Sequence, residues 1–205
     1  MSNIAHIYNE DAYLELILGP MFSGKTSKLI QLHKQYTLCK IPSVVINHTI
    51  DKRYHETLLS SHDKNMIECM QESHLMPIYN KVADIKAILI NEGQFFPDLY
   101  EFVITALADG KRIHIASLNG DFNRKLIGHT HQLLPLANEI NLLHAICNTC
   151  KKSPGIFSKR ITAEKQQIVV GFDNYVPTCR KCFNLCSTEN SEECQSHNWH
   201  WRYGW

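Results

Sequence analysis

Eight residues near the start of the chain, Gly19-Pro20-Met21-Phe22-Ser23-Gly24-Lys25-Thr26, match G-x-x-x-x-G-K-[ST] in full. That motif requires a strand before it and a helix after it. Both are present: residues 13–18 (YLELIL) read as a strand, and Leu29, Leu32, His33 and Tyr36 recur at helical spacing as far as about residue 36. Glycines let successive backbone N–H groups turn inward around phosphate oxygens, and the helix N-terminus adds its positive dipole end. Lys25 is expected to reach the β- and γ-phosphates of a nucleotide, and the Thr26 hydroxyl to ligate Mg²⁺. A glycine-rich turn with a chance Lys-Thr is the bland alternative, and it leaves the matched flanks unexplained.

The same alternation of strand and helix continues. A second strand is expected at 43–47 after Pro42, a third at 87–91 (AILIN), and a fourth at 112–117 (RIHIAS). Pro97 opens a helix with Leu99, Phe102, Val103, Ala106 and Leu107 at its apolar spacing, and Gly110 closes it. Residues 48–80 are polar, rich in His and Lys, and carry no clear period. Strands alternating with helices imply an α/β protein with a parallel, doubly wound sheet joined by right-handed crossovers. From about residue 145 short strands, turns and paired cysteines replace this pattern. The expected organisation is a phosphate-loop domain over 1–143, a zinc-binding domain over 144–188 and a flexible tail over 189–205.

Two features carry chemistry beyond the loop. Asn91-Glu92 stands where an apolar parallel strand should end, and Glu92 there is placed to act as a general base toward an attacking hydroxyl. Cys147-x-x-Cys150 and Cys179-x-x-Cys182 form two knuckle-like pairs, and four thiolates so arranged make a closed tetrahedral Zn²⁺ site with a structural role. Two disulfides are the alternative in an oxidising compartment. Cys186, Cys194 and His197 read as tail residues rather than a second metal site, and Cys39 and Cys69 as inert thiols. His62, His129 and His131 read as solvated or structural.

The formal net charge of +1 leaves no basic surface for nucleic acid. No apolar run reaches membrane-spanning length and the N-terminus lacks a signal-peptide pattern, so the expectation is a cytoplasmic protein without a membrane partner, in the host cytoplasm if the source is viral.

The chain resembles the cellular type of thymidine kinase, the family shared by animals, bacteria and large DNA viruses. The resemblance rests on GPMFSGKT, D-K-R-Y at 51–54, N-E-G-Q-F-F at 91–96, L-N-G-D-F-N-R at 118–124, S-K-R at 158–160, G-F-D-N-Y at 171–175 and the cysteine pairs, in order over residues 13–182. It implies a RecA-like phosphate-loop domain with a zinc-ribbon-like second domain, assembled as a homotetramer. It implies ATP and thymidine as substrates, Mg²⁺ with the ATP, and Glu92 as catalytic base. By the same resemblance Asp51 and Arg53 lie near sugar and phosphates, with Asn91 and Gln94 on the phosphate side. Met21, Asp51, Phe95, Leu118, Phe122, Ser158, Gly171 and Tyr175 are then the substrate residues, under a flexible lasso at 158–175. Phe95 and Tyr175 are expected to sandwich the pyrimidine, and Phe96 to sit in the core.

One departure stands out: the family normally carries aspartate where this chain has Asn91. An amide still accepts a hydrogen bond from metal-bound water but supplies no negative charge. Weakened Mg²⁺ affinity or a reduced rate is therefore expected, with a nucleoside-binding protein of impaired catalysis as its extreme. A zinc-containing ATPase acting on nucleic acid is the other alternative.

Overall fold

A computed structural model describes residues 11–51, 58–60, 66–169 and 171–185. Arg53, His62, Cys186, Cys194, His197 and the 189–205 segment lie outside them.

The phosphate-loop strand β1 (Tyr13–Gly19) leads into helix α1 (Lys25–Leu38). Then come β2 (Ser43–His48), β3 (Leu58–Ser60), β4 (Met66–Glu68), β5 (Met70–Glu72) and a 3₁₀ segment, Met76–Val82. Strand β6 (Ala87–Ile90), helix α2 (Leu99–Ala108), β7 (Arg112–Leu118) and β8 (Glu139–Leu142) complete the main body. One six-stranded sheet runs β5-β2-β6-β7-β1-β8, with every neighbouring pair parallel. The strand that ends before Asn91 and the strand that ends in the phosphate loop thus flank β7 and are not neighbours, as a RecA-like sheet requires.

Alternation along each strand sorts the core into two layers. Leu14, Leu16, Ile88, Ile90, Ile113 and Ile115 pack on one face with Leu99, Phe102 and Val103 of α2. Ile17, Val45, Leu89 and Ala116 pack on the other with Leu29, Ile30, Leu32 and Tyr36 of α1. Helices on both faces are why β6 is buried throughout and β7 at all but its last residue; β6 reads as an apolar run, while β7 alternates and buries Arg112 and His114 as well. Phe96 is fully buried in the first layer, as expected.

The second layer holds a polar chain away from the loop. Arg112 Nε donates to Tyr36 Oη (3.3 Å), whose hydroxyl meets His114 Nε2 at 2.7 Å, and His114 Nδ1 lies 2.6 Å from Glu15. Lys28 completes it at 2.8 Å from the other Glu15 oxygen. Burial pushes the Glu15 carboxyl up, but the bonds from His114 and Lys28 outweigh it and hold the carboxyl down at about 2.

The remaining elements are small: β9 (Ala145–Ile146) pairs with β10 (Pro154–Gly155), β11 (Phe157–Arg160) with β12 (Tyr175–Thr178), and α3 (Arg180–Leu185) follows. Such short strands have little core of their own. Cys147, Cys150, Cys179 and Cys182 form the cluster beneath them.

Candidate active site

The loop after β1 is shaped by its own bonds. Gly24 caps α1 at φ 84°, in the left-handed region that glycine alone adopts without strain. Ser23 Oγ donates to the Pro20 carbonyl (2.8 Å), and the buried Lys25 ammonium donates to the same oxygen (2.7 Å). The lysine is therefore held in the mouth of the loop, ready to exchange a carbonyl for a phosphate oxygen.

Across the sheet, β6 ends at Ile90 and the chain turns sharply. Glu92 sits at φ 55°, ψ 42°, a left-handed conformation costing about 1 kcal/mol or more for a residue with a Cβ. The turn is closed by Phe95 N–H on the Glu92 carbonyl (3.0 Å). It places Glu92 in the lining of a cleft that the phosphate loop also lines. Gln94 Nε2 donates to the Glu92 carboxylate at 2.6 Å, while Gln94 Oε1 accepts from Ser117 Oγ and Leu118 N–H, both at 3.0 Å. Gln94 is almost fully buried and does not line the cleft; it fixes the carboxylate from behind.

Asn91 is also buried, with its carbonyl oxygen accepting from the Thr26 hydroxyl at 3.2 Å. Its amide donates to Asn47 Oδ1 (2.8 Å), and Asn47 Nδ2 donates to Gln71 Oε1 (3.3 Å). Sequence reasoning did not reach this line of amides, because Asn47 and Gln71 lie in the stretch without periodicity and at its edge.

The cleft encloses about 1120 Å³, its open mouth included. Met21, Phe22, Ser23, Gly24, Lys25 and Thr26 line it, as do Asp51, Glu92, Phe95, Leu118, Phe122, Ser158, Gly171 and Tyr175. Gly19, Pro20, Asn91 and Gln94 stand behind it. Ser158, expected as a substrate residue, is buried and accepts the Met21 N–H at 2.9 Å, tying β11 to the phosphate loop. Tyr175 is mostly buried, its hydroxyl donating to the Val169 carbonyl at 3.1 Å, and it contributes to the cleft lining. Phe95 has a histidine at its back: the His48 ring lies 5.7 Å away, with Nδ1 accepting the Ile50 N–H and burial lowering its pKa.

Two residues without an assigned role shape the far wall. Asp121 Oδ1 accepts from Asn123 and Lys125 N–H, an Asx-type turn that the Gly120-Asp121 pair could have signalled. Its other oxygen accepts from Gln167 at 2.9 Å. Arg160, the last residue of the S-K-R run, faces the 164–169 segment, and no role was read for it from the sequence.

The thiol sulfurs of Cys147, Cys150, Cys179 and Cys182 all lie within 4.8 Å of one another, and Cys182 N–H points at Cys179 Sγ (3.5 Å). Backbone N–H from Lys152 leads the interactions that lower the Cys150 thiol to about 6. Four sulfurs about one centre at this spacing suit a tetrahedral Zn²⁺, whose thiolates sit roughly 3.8 Å apart when each bond is about 2.3 Å.

A phosphate loop that shares one cleft with a carboxylate is the arrangement of a phosphate-loop kinase. The family model described as thymidine kinase matches residues 12–183. Relatives include the thymidine kinases of variola virus (40% identical), raccoon poxvirus (39%) and monkeypox virus (37%). Each alignment covers 83% of this chain and 96% of the relative. The chain belongs to the thymidine kinase family.

Proposed function

We propose that the protein transfers the γ-phosphate of ATP to the 5′-hydroxyl of thymidine, giving dTMP. The observation that carries this reading is that Lys25 and Glu92 line one cleft together with apolar side chains, in a chain of this family. The triphosphate lies along Gly19–Thr26, with Lys25 leaving the Pro20 carbonyl for the phosphates. The Thr26 hydroxyl and the Asn91 carbonyl would hold Mg²⁺, which would supply charge to offset that of the phosphates. Glu92 accepts the proton of the 5′-hydroxyl as it attacks, and Gln94 keeps the carboxylate aimed. Asp51, which lines the same cleft, and Arg53 serve sugar and phosphates. Phe95, Leu118, Phe122, Ser158, Gly171 and Tyr175 enclose the base, with Met21 serving both substrates.

The chain divides near residue 143, since β8 closes the sheet and β9 opens the cysteine-held unit, and zinc in that unit is structural. Assembly as a homotetramer is part of the proposal; the half-exposed Ile140 and Leu142 on the edge strand β8 support a contact between copies. No helix among the described residues is long and apolar enough to cross a membrane, and we place the enzyme in the cytoplasm, the host's if viral. Transfer of labelled phosphate from ATP to each of four deoxynucleosides tests the reading. Label in dTMP is expected; none in any nucleotide would overturn it.

A further inference from the structure

Residues 164–169 form one wall of the cleft through Gln167, Ile168 and Val169, yet they lie in no strand or helix. A segment without a backbone ladder must place its carbonyls elsewhere. Here they converge on one side chain. Arg160 Nη1 donates to the carbonyls of Glu164 (2.9 Å) and Gln166, and Nη2 to that of Gln167 (3.1 Å). Nη2 also donates to the Tyr175 hydroxyl, which itself donates to the Val169 carbonyl. The guanidinium carbon stands 3.7 Å from the centroid of the Phe122 ring. Arg160 is thus almost fully buried, spent on carbonyls, a phenol and an aromatic face, and no carboxylate pairs with it among the described residues.

We propose that Arg160 is a positioning residue that holds the 164–169 strap, Phe122 and Tyr175 as the wall of the nucleoside subsite. This rests on the kinase reading above. Only a planar fork can span three carbonyls and a phenol while stacking on a ring; a lysine at this position keeps the charge and loses the span. The contacts reach the nucleoside end of the cleft, while Lys25 and Glu92 are held by other groups. The signature is therefore lost thymidine binding with chemistry intact, which is a KM effect.

Steady-state kinetics of R160M and R160K test this, with zinc content and thermal unfolding measured alongside. For R160M we expect the thymidine KM to rise about tenfold or more, given several hydrogen bonds lost at a buried site. The ATP KM and kcat are expected to stay within about threefold, and R160K to recover part of the loss. A second readout needs no turnover: glutamyl endoprotease should cut after Glu164 faster in R160M than in the parent. Unchanged thymidine KM and unchanged cutting in folded variants would overturn the proposal. So would equal rises in both KM values with loss of zinc, since that marks a general structural role. Should the parent fail to phosphorylate thymidine, the kinase reading falls, and equal cutting of parent and R160M would then remove the strap's anchor as well.

Discussion

Asn91→Asp is the substitution whose outcome the geometry constrains most tightly. The Asn91 amide donates to Asn47 Oδ1 at 2.8 Å in a buried setting. A carboxylate there brings two acceptors together, and leaving a buried acceptor unsatisfied costs about 1–3 kcal/mol. The line of amides offers an escape. If Asn47 and Gln71 both turn over, Asn47 donates to the new carboxylate and Gln71 donates to Asn47, giving up the 3.5 Å contact with Cys69 Sγ. The penalty then falls to the low end, about 1 kcal/mol, or roughly 2–4 °C in a chain of this size. Gln71→Glu blocks the escape, because the carboxylate it introduces would need the same Asn47 NH₂ group. The two substitutions together should cost about 2 kcal/mol more than their sum, within the range of directly coupled pairs. Thermal unfolding of parent, single and double variants in Mg²⁺-free buffer measures this. With Mg²⁺ present, Asn91→Asp should reach half-maximal turnover at a severalfold lower metal concentration, since a full charge joins the Thr26 hydroxyl. An additive cycle together with superimposable Mg²⁺ curves would refute both halves of the reasoning.

Glu92→Gln should lower kcat by about 10²–10⁴ while leaving the unfolding temperature near the parent's, as expected for a general base at the cleft wall; activity within about threefold of the parent would assign the proton elsewhere. Stripping zinc with a chelator, or Cys147→Ser, should loosen the C-terminal unit and abolish activity, because metal binding is folding free energy for so small a core; full activity in metal-free protein rules this out. Glu15 is held at about 2 against an ordinary 4.5, so its ionised form stabilises the fold by roughly 3 kcal/mol. That contribution is complete above about pH 4.5 and is lost as pH falls toward 2, where the folded-state carboxyl takes up its proton. Urea unfolding between about pH 5 and 3 should therefore show a steep decline that Glu15→Gln flattens, and equal slopes would contradict it.

What could be read ahead of the structure follows from how local each signal is. The phosphate loop is eight contiguous residues with both flanks in view, β6 is an apolar run and β7 an alternating one, so these were legible. Strand β8 (Glu139–Leu142) was not, because an edge strand covered on one side carries no such run; the open edge of β1, not its own sequence, makes it a strand. The turn at Glu92 was legible as a strand end, but the support from Gln94 was not, since it depends on Ser117 and Leu118 across the sheet. Ser158 was expected at the substrate and lines the cleft, but its bond from the Met21 N–H, 137 positions away, was not legible. Arg160 stood in the S-K-R run, but its contacts were not legible, because its partners are mostly carbonyls, which every residue has.

Strand β11 gives Ser158 and Arg160 to the cleft side and directs Phe157 and Lys159 toward the Phe183 ring of α3. Because side chains alternate, sliding this hairpin by a single residue would carry both cleft residues outward together and substitute a phenylalanine and a lysine for them. The pairing of Ser158 with Pro177 ends only two positions before Cys179. A metal held by the four thiols at that end would keep the count, so a cluster remote from any phosphate would decide which way the strand faces.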